Sequence, residues 1–316
     1  MVVTKKECEQ ICKKFGTELK KFKLLGRGAH NENFILETNK GKIVLRIVNV
    51  KNAERLKKEY KILKKLNGKF GPKVYSFDES KKIIKRDYLL EELIEGENAP
   101  EKTNKKLLVD VAKFLKKLHS YSKIAVNKKK DLIYSSLDEY FKGYIKDFQK
   151  LKKVLEKDKI LLEQIDFLFN KTQEICEKNK KLLSNRNKKS IIHGNVDPEH
   201  IMYSKSKIKL IDWEFARYGL EESDLIFFAY LYELKPKELE VFLKEYGYPS
   251  NKRRKKQFNI LFLLHHLGLI IWSLERIEDI GKGDIYKNQK SSNVKGMKDH
   301  INLHIRKSKI LLKSIK

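Results

Sequence analysis

Residues 190–214, SIIHGNVDPEHIMYSKSKIKLIDWE, restrict the choice of fold more than any other stretch of this chain. A short apolar run, Ile191 and Ile192, leads into a tight polar loop. Two brief strands are then expected, over 201–203 and 208–211, joined by a Ser/Lys turn. Asp212 directly follows Lys209-Leu210-Ile211, so a buried strand carries it to a rim with its side chain facing out of the core. A loop that closes one strand beside a second strand tipped with a carboxylate is how phosphoryl-transfer sites keep a nucleophile and a magnesium ion in register.

The run His193-Gly194-Asn195-Val196-Asp197-Pro198-Glu199-His200, followed by Ile211-Asp212-Trp213-Glu214, resembles the signature of the aminoglycoside phosphotransferase and choline kinase superfamily. That signature is H-G-D-x-x-x-x-N, then a strand ending in I-D-[WF]-[ED]. The frame is intact and two polar positions differ. Asn195 stands where the family has its catalytic Asp, and His200 where it has its metal-binding Asn. The resemblance implies an α+β, bilobal protein-kinase-like fold: a small antiparallel β-sheet N-lobe with one helix, and a larger, mainly helical C-lobe. Residues 1–95 would then form the nucleotide-binding lobe and 96–316 the catalytic and substrate lobe. The implied activity is ATP-dependent transfer to a hydroxyl group of a small molecule, using ATP or another nucleoside triphosphate with Mg2+, or Mn2+. The alternative is a pseudokinase-like protein that binds nucleotide without transferase activity.

Ahead of that stretch, 21–25 and 33–37 are expected as strands flanking Gly26-Arg27-Gly28-Ala29-His30-Asn31-Glu32-Asn33. Two glycines at such a turn let the backbone approach phosphate oxygens and aim N–H groups at them, and the element resembles the family's phosphate loop. A plain hairpin is the other reading. The next strand, 42–48, places Arg46 among apolar neighbours, where kinase-like folds put the cation that holds the α- and β-phosphates. Arg keeps the charge and offers forked donors; the alternative is an edge-strand Arg in solvent. A helix over 52–66, capped by Asn52 and stopped by Gly68, carries Leu56, Tyr60 and Leu63 on one face. Glu59 lies beside that face, placed to pair with Arg46 as the corresponding Glu does in the resembling family, or else solvated. Residues 91–96, with Glu92 and Leu93, look like the crossing between lobes where backbone groups meet an adenine edge. An ordinary strand end is the alternative.

The chemistry divides among few groups. Asp212 is expected as a metal ligand bridging nucleotide phosphates, with Glu214 able to reach a second ion or water. His193 would orient the loop through hydrogen bonds to backbone. Asn195 has no useful proton affinity, but its oxygen can accept a hydrogen bond from a substrate hydroxyl, and Asp197 is the candidate substitute base. An imidazole at His200 suits softer metals than magnesium, so the second ion is absent, exchanged for manganese, or held by Glu199. Beyond Gly96 the apolar residues recur at helical spacing. Trp213, Tyr218, Tyr230 and Trp272 are aromatic candidates for a choline cage, and Glu233, Glu275, Glu278 and Asp279 would suit a cationic or polyhydroxy acceptor.

Composition narrows the setting. Three cysteines, Cys8, Cys12 and Cys176, lack metal-like clustering and suit a reducing, cytoplasmic interior. Cys8 and Cys12 can share a helix face either as small core side chains or as a redox or metal pair. The amino end lacks a secretory apolar core. The apolar run 260–272 is too short to span a bilayer and is interrupted by His265 and His266, so no membrane insertion is expected. A net charge of +29 admits nucleic acid as a partner, but no aromatic-plus-Arg platform or finger-type metal spacing points to it.

Overall fold

The computed structural model describes residues 3–27, 31–48, 53–121, 137–184, 190–204, 207–283 and 293–315. Gly28 and Asn52, named above, lie outside the described residues. The chain forms two compact units, one of Met1–Val126, Ile191–Arg217 and Phe227–Tyr246, the other of Asn127–Ser190, Tyr218–Ile226 and Gly247–Lys316.

The first unit begins with helix α1 (Lys5–Lys14), fixed by a reciprocal capping box between Thr4 and Glu7. Strands β1 (Leu19–Arg27), β2 (Asn31–Thr38), β3 (Gly41–Val48), β4 (Val74–Asp78) and β5 (Tyr88–Glu92) make one antiparallel sheet in the order β1-β2-β3-β5-β4. Helix α2 (Ala53–Leu66) follows β3. Because β3 is central, both its faces are covered, and side-chain alternation sorts its residues. Ile43, Leu45 and Ile47 pack with Cys8, Ile11 and Cys12 of α1, while Val48 packs with Leu56 of α2. Arg46 has the parity of Val48, so it faces α2 and not solvent. Burial pushes the Cys8 thiol up to about 12, and Cys8 and Cys12 are both fully buried, which marks them as core side chains without thiolate reactivity.

The same unit contains a three-stranded antiparallel sheet, β6 (Glu97–Asn98), β8 (Ile201–Ser204) and β9 (Lys207–Leu210), in the order β6-β8-β9. Helix α3 (Lys105–His119) packs on α8 (Pro236–Tyr246), tied by His119 Nδ1 to the Tyr246 hydroxyl at 2.9 Å.

The second unit is helical, built on α4 (Leu137–Leu151), α5 (Lys159–Lys178), the short α6 (Lys180–Ser184), α9 (Lys252–Gly281) and α10 (Val294–Ser314). The apolar run 260–272 lies within helix α9 and is mostly buried, as expected. α9, with 30 residues, is long and apolar enough to cross a membrane by length and composition. Its Leu263, Leu264, Leu267, Ile270 and Leu274 are buried in the protein, so that apolar side is already covered. Between α9 and α10 runs a chain of polar groups. Ser273 Oγ donates to Leu269 O (2.9 Å) and therefore accepts from His300 Nδ1 (2.8 Å). His300 Nε2 then accepts from His304 Nε2 (3.0 Å), and His304 Nδ1 from His266 Nδ1 (2.9 Å). One tautomer of each neutral ring satisfies the whole chain. Burial holds His266 down at about 3 and His304 at about 2.

Candidate active site

Arg46 is the hub of the site. It is 3% exposed, its Nη1 donates to Glu59 Oε1 at 2.8 Å, and its Nη2 donates to Asp212 Oδ1 at 2.8 Å. Two consecutive elements, β3 and α2, thus meet the segment after β9, 166 residues on from Arg46, on one guanidinium. Its planar fork makes both bonds at once, which a lysine ammonium would do with less directional control. Glu59 Oε1 also accepts from the Trp213 backbone N–H at 3.0 Å, joining α2 to the residue after Asp212.

A fourth member, Glu91 on β5, was not singled out from the sequence. Its Oε1 is 3.7 Å from Arg46 Nη1 and it is 6% exposed. In the register, Arg46 faces Leu89 and Val44 faces Glu91, so Glu91 is the diagonal neighbour on the Arg46 face. The signal existed as parity, but it could not be used without the strand pairing.

Asp212 is held at φ 60, ψ 69, a left-handed conformation that few residues other than Gly, Asn and Asp adopt. Oδ1 is bonded to Arg46, and Oδ2 faces His200 Nε2 at 3.6 Å. His200 Nδ1 lies 3.1 Å from the Asn195 carbonyl oxygen, so that nitrogen carries a proton and the ring turns its Nε2 edge toward Asp212. His193 is fully buried; its Nε2 donates to Ile211 O at 3.0 Å and its ring meets Trp213 edge to face. Gly194 has φ 82, and a Cβ there would collide with Phe215 O at 2.6 Å, so glycine is required at the loop's turn. Asp197 uses one oxygen as the cap of the 3₁₀ turn Pro198–His200, accepting from Glu199 N at 2.9 Å, while Asn195 is half-buried with its carbonyl oxygen accepting from Asp197 N at 2.8 Å.

The remaining expected groups divide. Asn31 Nδ2 donates to Glu214 Oε2 at 3.2 Å, linking the start of β2 to the Asp212 segment. Gly26 is in β1 opposite Asn33, and a Cβ there would meet nothing within 4 Å, so the backbone keeps open space beside it. The Glu92 side chain turns away from Arg46 and binds Lys209 Nζ at 2.9 and 3.0 Å and the Lys73 N–H at 3.0 Å. Leu93 follows β5, half-buried. Trp213 has no exposed surface and its Nε1 donates to Leu210 O at 2.7 Å, so it is a core residue and no part of a cation cage. The face of Trp272 already holds the Arg276 guanidinium, 5.6 Å from the ring centroid. Glu278 pairs with Lys153 at 3.2 Å and Lys282 at 3.0 Å.

Crowding of carboxyls governs the electrostatics. Burial, reinforced by Glu91, Asp212 and Glu214, pushes Glu59 up to about 8 against the pull of Arg46. Burial also pushes Glu91 up to about 7, and burial with Asp212 does the same to Glu214. Burial acts upward on Asp212 too, but Arg46 and His200 outweigh it and leave that carboxyl below its ordinary value. Asp212 is therefore the group that stays ionised. Among the described residues, Glu59 Oε2, Glu91 Oε2 and Arg46 Nε have no hydrogen-bond partner and are buried. An acidic pocket with orphaned oxygens suits a divalent cation in charge and in donor type. Among the described residues no group of three or more His, Cys, Asp or Glu forms a metal cage. Magnesium does not need one, since it is usually held by one or two carboxylates together with water and substrate phosphate.

Residues 21–258 match the phosphotransferase enzyme family. The structure is similar to that of choline kinase LicA from Streptococcus pneumoniae, with TM-score 0.66 and 18% identity over 98% of each chain. It is similar to spectinomycin phosphotransferase APH(9)-Ia in complex with ADP and spectinomycin, with TM-score 0.68 and 14% identity over 98% of this chain and 99% of that one. Ethanolamine kinase from Plasmodium vivax gives TM-score 0.66 and 14% identity over 91% of this chain and 84% of that one. At these identities the likeness establishes the shared protein-kinase-like fold. No curated protein matches the chain in sequence.

Proposed function

This chain belongs to the phosphotransferase enzyme family, and from that membership we propose that it transfers the terminal phosphoryl group of ATP to a hydroxyl group of a small molecule. The observation that carries the reading is the single guanidinium of Arg46 bonded at 2.8 Å to both Glu59 and Asp212. In this reading residues 1–95 hold the nucleotide and 96–316 supply the catalytic loop and the acceptor site. The likeness to choline, ethanolamine and spectinomycin kinases favours an acceptor that is a small amino alcohol or aminoglycoside. Three cysteines in no disulfide favour the cytoplasm.

Phosphoryl transfer asks for positioning and charge neutralisation more than for covalent help. Arg46, held rigid by Glu59, presents its charge to the α- and β-phosphates. Gly26 and Asn31 lie beside the phosphates, and backbone groups at Glu92 and Leu93 meet the adenine edge. Asp212 would hold the divalent ion, Mg2+ or Mn2+, together with water and substrate phosphate and with His200 and Glu214 close by, and the ion when bound would neutralise phosphate charge. His193 keeps the loop in place through Ile211. Asn195 aligns the acceptor hydroxyl by accepting its hydrogen bond, and the free oxygen of Asp197 is available to take its proton.

Asn195 also favours a second reading, nucleotide binding without transfer, because an amide cannot serve as a base. Incubation of labelled ATP with pooled small metabolites separates the two. The enzyme reading expects a labelled product that Asp212→Ala abolishes and Asn195→Asp preserves or raises, by about a hundred- to ten-thousandfold at most. Binding of ATP with no labelled product from either the parent or Asn195→Asp would leave the second reading standing.

A further inference from the structure

The net charge of +29 is not explained by an active site whose side chains are mostly acidic. In the helical unit part of that charge is gathered into a groove. Two adjoining hollows, about 790 and 540 Å³, share Lys178, Asn179 and Lys256. Together they are lined by seven cations, among them Lys178, Lys181, Arg253 and Lys256, and by two carboxylates, one of which, Glu174, is already bonded to Lys171 at 2.9 Å. Among the described residues none of Lys178, Lys181, Arg253 and Lys256 has a carboxylate partner.

The sequence accepts an electrostatic penalty to put charge there. Helix α9 opens Lys252-Arg253-Arg254-Lys255-Lys256 with no acidic residue in its first turn, although the N-terminal end of a helix dipole repels cations. Of these five, Arg254 is the one engaged internally, 3.4 Å from Glu222 and against the Tyr248 ring. In the second hollow the cations surround an aromatic side chain, Phe167, which is 48% exposed beside Ile175. A cationic track with an accessible ring is the arrangement that holds a phosphate backbone while a base stacks.

We propose that this groove binds single-stranded nucleic acid, the lysines following the phosphates and Phe167 receiving a base. The proposal does not depend on the phosphotransferase reading, since no residue is shared with the active site. The test is fluorescence anisotropy of the full chain with a labelled oligouridylate over a salt series. Lys178→Glu/Lys181→Glu/Lys256→Glu should weaken binding more than about tenfold and lower the slope of log affinity against log salt by roughly two, from three lost phosphate contacts. Lys20→Glu/Lys21→Glu/Lys23→Glu, an equal charge change at exposed positions of β1, should weaken it less than about threefold. Phe167→Ala should cost roughly fivefold or more with the salt slope unchanged. Equal losses from the two triple variants, full affinity after Phe167→Ala, or duplex competing as well as single strand would each overturn the proposal. If the Glu triple fails to give the parent's melting curve, the corresponding Lys→Gln triple carries the same comparison.

Discussion

Replacing Arg46 by Met should destabilise the first unit in a way that grows with pH. Met fills much of the same volume, but it leaves Glu59, Glu91 and Asp212 without the guanidinium that faces all three at 2.8 to 3.7 Å. Removing one partner of a buried ion pair costs about 3–5 kcal/mol, because the other charge stays buried and uncompensated. For a unit of this size that is a fall in Tm of roughly 6–20 °C. Protons can relieve part of the loss. In the parent, Glu59 and Glu91 already titrate at about 8 and about 7, above their unfolded values. Between the unfolded carboxyl range and these values the folded state holds protons that the unfolded chain has released. Stability therefore falls as pH rises, by up to about 1.4 kcal/mol per pH unit for each group, and levels off above about 8. Without Arg46 the folded values move higher still, so the variant should keep losing stability between pH 8 and 9.5 where the parent has levelled off. Denaturant unfolding followed by Trp213 emission in a Trp272→Phe background isolates this unit, since Trp213 is its buried tryptophan. Equal destabilisation at pH 6 and pH 9 would refute the carboxyl crowding, and a loss below about 1 kcal/mol would refute the buried pair itself.

Two further outcomes follow from the same reasoning. His200→Asn replaces a nitrogen donor by an amide oxygen beside Asp212 Oδ2 and should shift metal preference toward Mg2+; Mn2+ binding read by electron paramagnetic resonance should weaken several-fold, and unchanged Mn2+ affinity would remove His200 from the ion's surroundings. His266 and His304, held at about 3 and about 2, remain neutral while the unfolded chain takes up protons below about 6.5. The helical unit should therefore lose up to about 2 kcal/mol per histidine on going from pH 6.5 to 5, a slope that His266→Phe/His304→Leu should flatten in a denaturation series.

Much of the site was legible because its chemistry is written in short spacings. The loop 193–200, the carboxylate at 212 and the cation in a run of apolar residues are local patterns; helical phase puts Glu59 only beside the apolar face, and its pairing with Arg46 came from the family resemblance. Long-range information was not legible. Nothing local marks Glu91, whose role depends on β5 pairing with β3 in one register. Trp213 reads by type as a surface aromatic, yet Gly71 makes room for it, since a Cβ there would stand 2.4 Å from its Nε1. The buried helix around 260–272 was legible in its apolar run, but the bond between His266 and His304 across the helix pair was not, because it needs the pairing of α9 with α10.

One oxygen deserves a final consequence. Glu59 Oε1 receives both the Arg46 guanidinium and the Trp213 amide, so α2 is pinned simultaneously to the sheet and to the turn bearing Asp212. Any outward swing of that helix must release both ends together. Releasing Asp212 from Arg46 alone would free Nη2 and leave both tethers of Glu59 in place, so the carboxylate could move while the helix behind it stayed fixed.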